Sequence, residues 1–263
     1  MIAATAVSTI AGTVAYLASP RARAAVRANL AVAAPERRDR ERLVRRAFVW
    51  QARHYLEILA LERMDPAAVA RAIRVVGWEH FLAAHERGRG VVLASAHLGS
   101  VSVCGQVVAT RGFNVTLPLE RAISPFARLV NRARSSHGLR FVSTDSALGI
   151  HRVLKRGGTL GILVDRAVTG VGERVPFFGR EALLPSAHVA LALRTGAALL
   201  PAFAERDHGG GLVARFEPEI ALERTGDRAA DVREGMRRFL VLLEDEIRRR
   251  PDEWSVFERL WER

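Results

Sequence analysis

A chain of 263 residues with 49% hydrophobic and 26% charged content can bury a sizeable core, and disorder is excluded except at its ends. The 40 basic against 28 acidic side chains give a formal charge of +12, which favours anionic partners: nucleic acid, phospholipid headgroups, phosphorylated substrates or an acidic carrier protein. A single cysteine, Cys104, excludes an intrachain disulfide and points to the reducing side of a membrane.

The opening stretch, MIAATAVSTIAGTVAYLASP, carries no charged side chain, and arginines follow at 21, 23 and 27. It is rich in Ala, Thr and Ser rather than Leu and lacks the basic start of a signal peptide. It reads first as a helix lying in or docked near a membrane plane, second as an ordinary core helix, third as a span. Residues 1 to about 88 read as helical. Within them Leu43, Phe48, Ala52, Tyr55, Leu56 and Leu59 fall near one face with arginines opposite. Such a helix is either solvated on its basic side or turned toward lipid.

From Gly90 the pattern alternates. GVVLASA is a short apolar run fit for a strand buried on both faces. A helix is expected over roughly 100–110 with Ser100 as cap, then a strand in FNVTLPL and a helix in SPFARLVNRARSSHG stopping at Gly138. LRFVS is a strand, and DSALGIHRVLKRGG a helix capped by Asp145 or Ser143. TLGILVD is a strand, followed by a Gly-rich loop that leads to Phe177 and Phe178. SAHVALALRTG is a helix capped by Ser186; AALLPAFA and GLVARFEPEI are strands; a long helix over about 228–250 is closed by Pro251. The alternation predicts an α/β fold with a largely parallel or mixed central sheet flanked by helices. A helical, membrane-proximal cap (1–88) and an α/β core (89–263) make one integrated domain. Ligands of such sheets gather at the carboxyl ends of the strands, where His97 and Asp165 both stand.

His97 is followed by Gly99, which admits close approach, and by Ser100, whose helix start offers free N–H groups to an oxyanion or phosphate. The bland alternative is a histidine satisfied in the core. Asp165 and Arg166 leave a second strand, and an exposed Phe177–Phe178 pair after them suits a charged group joined to an acyl chain; a loop whose phenylalanines close the core is the alternative. Cys104, in an apolar run, reads as a small buried hydrophobe. His80 and His85 do not share a helix face, and no HExxH or Cys pair occurs, so no metal site is expected. There is no GxSxG elbow, and the glycines fit no phosphate-loop or dinucleotide fingerprint. Nucleic-acid binding would rest on charge alone, without interleaved aromatics.

The segments AHLGS, LERAISPFARLVNRARSSHG, LKRGGTLGILVDRAVTGVGERVPFFGREALLPSAHVALALRTGAALLP and PDEWSVFERLW together resemble the bacterial lysophospholipid acyltransferase superfamily. The branch most similar is that of the lipid A late acyltransferases and phosphatidylinositol mannoside acyltransferases, from about Arg21 to Arg263. The resemblance implies acyl transfer from a thioester on acyl carrier protein or coenzyme A, a co-substrate rather than a bound cofactor. The acceptor is a hydroxyl of a membrane glycolipid or lysophospholipid. It also implies a peripheral or weakly anchored protein at the cytoplasmic face of the inner membrane, meeting an anionic lipid surface and no nucleic acid. In that superfamily a histidine followed five positions later by Asp or Glu forms the catalytic pair; counting from His97, the fifth position is Ser102. Glu120 and Arg121 resemble the second motif, Arg134 the substrate-binding arginine, and Asp165–Arg166 the third motif. His97 is then the general base and Glu120 or Asp165 its acidic partner. Arg121, Arg134 and Arg166 bind phosphate or headgroup beside Ser100 and Ser102, and Phe177 and Phe178 border the acyl path. A neutral imidazole suits the chemistry, because it takes the proton of an attacking hydroxyl while a thiolate leaves readily. The competing expectation is a non-catalytic lipid-binding protein that kept the fold after losing the dyad, with Ser102 as its mark. Thioester hydrolysis is a third.

Overall fold

The computed structural model describes residues 2–119, 124–144, 146–167, 170–207 and 209–261. Three helices open the chain, α1 (Ile2–Ala18), α2 (Pro20–Ala33) and α3 (Arg40–Leu61), followed by α4 (Pro66–Ala72), β1 (Ile73–Val76) and α5 (Trp78–Glu86). Next come β2 (Val91–Ser95), α6 (Val101–Cys104), α7 (Gln106–Thr110), β3 (Val115–Leu119), α8 (Pro125–Arg134), β4 (Arg140–Ser143), α9 (Ala147–Lys155) and β5 (Thr159–Leu163). A hairpin of β6 (Glu173–Phe177) and β7 (Arg180–Leu184) precedes α10 (Ala187–Thr195), β8 (Ala198–Arg206), β9 (Leu212–Phe216), α11 (Arg228–Arg249) and a 3₁₀ turn at Pro251–Glu253.

Seven strands form one sheet in the order β1-β9-β8-β2-β5-β3-β4, parallel except for the β8–β9 pair. Strand β2 shows why its sequence is apolar throughout. Side chains alternate across a strand, so Val91 and Leu93 enter the core beneath α3, α5 and α7, while Val92 and Ala94 enter the core beneath α10 and α11. All four are buried, so a polar residue on either side would be stranded without water. The carboxyl ends of β2 and β5 are adjacent, with Ser95 paired to Leu163, and this brings the segments after them together.

The predicted α/β class holds, and several local expectations are corrected. Residues 73–76 are not helical but form the edge strand β1, parallel to β9. The Gly-rich loop after Asp165 contains the antiparallel β6–β7 hairpin. The helix expected over 100–110 is two short ones broken at Gly105, and the helix before Gly138 ends at Arg134. Helix α9 is capped by Ser146, whose Oγ accepts the Gly149 N–H at 3.2 Å, not by Ser143; Asp145 lies outside the described residues. Ser186 and Ser100 hold N-cap positions, yet neither hydroxyl caps its helix.

Helix α1 packs on α3 through its small residues. A Cβ added at Gly12 would lie 2.4 Å from Val49 Cα, so only glycine permits this approach. The opposite side carries Val7, Ile10, Val14 and Leu17, all exposed, at spacings that keep them on one stripe. No helix of the described residues is long and apolar enough to cross a membrane.

Candidate active site

The loop after β2 is built by close backbone approach. Gly99 has φ 59°, and a side chain there would press within 2.8 Å of the Ala204 carbonyl oxygen of β8. Glycine satisfies both constraints at once. Three backbone contacts fasten the loop to the segment after α11. The Gly99 N–H donates to Glu253 O at 3.1 Å, the Ser255 N–H donates to His97 O at 2.7 Å, and Leu98 forms a bridge with Trp254.

His97 meets Asp165 just beyond the adjacent carboxyl ends of β2 and β5. Its Nδ1 lies 2.7 Å from Asp165 Oδ1, and its backbone N–H donates to Oδ2 at 2.9 Å. The Trp254 indole N–H donates to the same Oδ2 at 3.0 Å. Asp165 is fully buried. Burial pushes its carboxyl upward, but the charge of the His97 ring, the two donors of His97 and the Trp254 indole outweigh this and hold it below the usual carboxylate range. A carboxylate on Nδ1 puts the ring proton there and leaves the Nε2 lone pair to accept a proton. The ring itself is 28% exposed.

Of the two acids expected to orient His97, Asp165 is in contact with it; Glu120 lies outside the described residues, as does Arg121. Ser102, on α6, lines the cavity beside His97. Ser100 is buried and already engaged: it donates to Glu57 at 2.5 Å and accepts from Arg206 at 2.9 Å. Its helix α6 has four residues, too few for a developed helix dipole.

The cavity behind His97 has a volume of about 610 Å³. Leu93, Cys104, Val108, Leu117, Leu139 and Gly161 are among the residues that line it. A Cβ at Gly161 would lie 2.5 Å from Leu117 Cδ2, so a larger residue there would displace that side chain. Burial pushes the Cys104 thiol up to about 12, and the thiol donates weakly to Val213 O at 3.6 Å, so it serves as wall rather than nucleophile. Arg134 and Arg166 line the same cavity. Each has a buried Nε without a hydrogen-bond partner, and among the described residues neither has a carboxylate within ion-pair distance. Desolvation pulls the Arg134 guanidinium below its ordinary value. The Arg134 guanidinium lies over the Phe141 ring at 5.4 Å.

Phe177 and Phe178 are not an exposed pair, and neither contributes to the cavity wall. Phe177 is buried in β6, stacked on Trp261 at 5.8 Å and edge-on to Trp254 at 6.1 Å. Phe178, half-buried at φ 52°, donates its N–H to Glu244 at 2.6 Å and lies under Arg248.

Two residues that sequence reasoning missed complete the surroundings. Glu57 of α3 accepts from Ser100, from Arg53 at 3.0 Å and from Arg206 of β8. Burial raises its carboxyl, but Arg206, Ser100 and Arg53 bring it below the usual range. Its signal was a lone acid inside the apolar run HYLEILAL. Trp254 is the other; its segment carried the resemblance, but nothing local gave it a role.

A family model described as "Bacterial lipid A biosynthesis acyltransferase" matches residues 2–263. A phosphatidylinositol mannoside acyltransferase of Mycolicibacterium smegmatis is 26% identical over 236 residues, covering 83% of this chain and 72% of that protein. Proteins of the same name from Mycobacterium tuberculosis are 29% identical (strain CDC 1551 / Oshkosh; 80% and 67% covered) and 28% identical (strain H37Rv; 80% and 67% covered).

Proposed function

The chain belongs to the bacterial lipid A biosynthesis acyltransferase family and is an O-acyltransferase, and from that premise we propose that it moves a fatty acyl chain from an acyl thioester to a hydroxyl of a membrane glycolipid with His97 as general base. The observation that carries this reading is the 2.7 Å contact between the buried Asp165 carboxylate and Nδ1 of His97, which lines an apolar cavity of about 610 Å³. Ser102 stands where the superfamily has its acid, yet the ring is not without one.

His97 Nε2 takes the hydroxyl proton as the oxygen attacks the thioester carbonyl. The thiolate leaves, and Asp165 stabilises the imidazolium that forms. Arg134 and Arg166 hold the phosphate of the acceptor headgroup or of the donor, and the apolar walls take the acyl chain. The thioester comes from acyl carrier protein or coenzyme A, whose negative charges suit a chain of +12. The exposed stripe Val7–Ile10–Val14–Leu17 of α1 and exposed Phe126 and Leu129 of α8 support contact with the surface of an anionic bilayer.

The test is purified protein with radiolabelled acyl thioester and vesicles containing phosphatidylinositol mannosides. Label is expected in the glycolipid with release of thiol, and His97→Ala is expected to abolish both. Thiol release with the label recovered as free fatty acid would mark a thioesterase; no release would leave the lipid-binding alternative.

A further inference from the structure

We propose that Trp254 is a positioning residue of the acyl-transfer centre, acting through Asp165 and not on substrate. The proposal rests on reading His97 as the base. Asp165 has two oxygens and three donors: Oδ1 meets His97 Nδ1 at 2.7 Å, while Oδ2 receives the His97 backbone N–H at 2.9 Å and the Trp254 indole N–H at 3.0 Å. Without the indole, Oδ2 keeps a single donor, the His97 backbone N–H, and the carboxylate is less firmly set in the geometry that fixes the Nδ1 tautomer. The indole adds a third contact to the carboxylate and a second donor to Oδ2. It also draws charge away from Oδ2, so the carboxylate binds a proton less tightly.

Trp254 is held for this purpose from all sides. It is 2% exposed, and its ring lies edge-on to Phe177 at 6.1 Å and to Trp261 at 6.3 Å. Its backbone bridges Leu98, and the neighbours Glu253 and Ser255 bond to Gly99 and His97. One strap therefore fixes both members of the pair, the histidine by main-chain bonds and the aspartate by the indole. This gives a role to the buried Phe177, which backs the Trp254 ring rather than lining an acyl path.

The decisive variant is Trp254→Phe, which keeps a flat ring in the aromatic cluster and deletes the donor. The kcat of acyl transfer is expected to fall about 10- to 100-fold, the effect of losing one hydrogen bond to a buried charge, with KM for the thioester within about twofold. The acid limb of the rate profile is expected at higher pH, because a carboxylate one donor short holds protons more tightly. A purely packing role lowers the melting temperature but moves neither the limb nor the kcat-to-KM split. If Trp254→Phe keeps wild-type kcat and pH profile while His97→Ala and Asp165→Asn are inactive, the positioning role is overturned and the base assignment stands. If His97→Ala remains active, the base assignment is what fails. Should Trp254→Phe not fold, the ¹⁵N-indole spectrum decides, since the sequence has only 4 tryptophans. Asp165→Asn is expected to move one indole N–H cross-peak upfield, and an unchanged spectrum rejects the proposal.

Discussion

An imidazole is a useful base only when one nitrogen is committed and the other free. In this chain the commitment is made by Asp165, which is buried and ionised beside His97. Asp165→Asn keeps the shape, removes the charge and permits the wrong tautomer, so a fall of about 10³- to 10⁴-fold in kcat is expected with little change in KM. Ser102→Ala touches the cavity wall alone and is expected to leave most of the activity in the same assay. If both variants are equally inactive, Asp165 is not the sole orienting group.

At the scale of elements, α3 links the N-terminal helices to the histidine loop. Through Glu57 it holds Ser100 and Arg206 in one cluster, and the Arg206 side chain is only 9% exposed. Glu57→Gln leaves that guanidinium without its counter-charge, and a loss of about 2–4 kcal/mol in a denaturant titration is expected. A kcat reduced several-fold in the same variant would follow from a loosened loop. Such a link was illegible in the sequence, because it joins positions 43 and 149 residues apart. The strands β2 and β5 were legible, since burial on both faces demands unbroken apolar runs, and the residues at their ends were therefore placed correctly. β1 was not, because IRVV is one short segment after an alanine-rich helix. The β6–β7 hairpin was hidden for another reason. Its buried positions Val175 and Phe177 alternate with exposed Arg174 and Pro176 inside a glycine-rich stretch, so Phe177 read as a loop aromatic when it faces the core.

For the whole molecule, pH acts through groups that folding keeps neutral or charged against their solvent preference. Burial pushes His188 down to about 3 and His54 down to about 4. Unfolded histidines take up a proton near pH 6.5, so the native state loses stability as pH falls from about 6.5 toward 4, by up to about 1.4 kcal/mol per unit for each ring. Asp165 is depressed instead, so its contribution is present above about pH 4, its unfolded value, and disappears as the solution becomes more acidic. Denaturant midpoints between pH 7 and 5 are expected to decline, and His188→Phe, which keeps an aromatic ring against Phe239, is expected to flatten that slope.

The clasp between the loop at 97–99 and the strap at 253–255 has a kinetic side. Its partners are far apart along the chain, and Asn29 of α2 adds a second distant tie by donating to Val256 O at 3.2 Å and Glu258 O at 2.8 Å. Closing such wide loops is entropically costly, and the β1–β9 pair, which joins Ile73 to Leu212, closes one of similar width, so clasp and sheet share the same slow step. In refolding, turnover is expected to recover together with the circular-dichroism signal; turnover that lags behind it would put the clasp last.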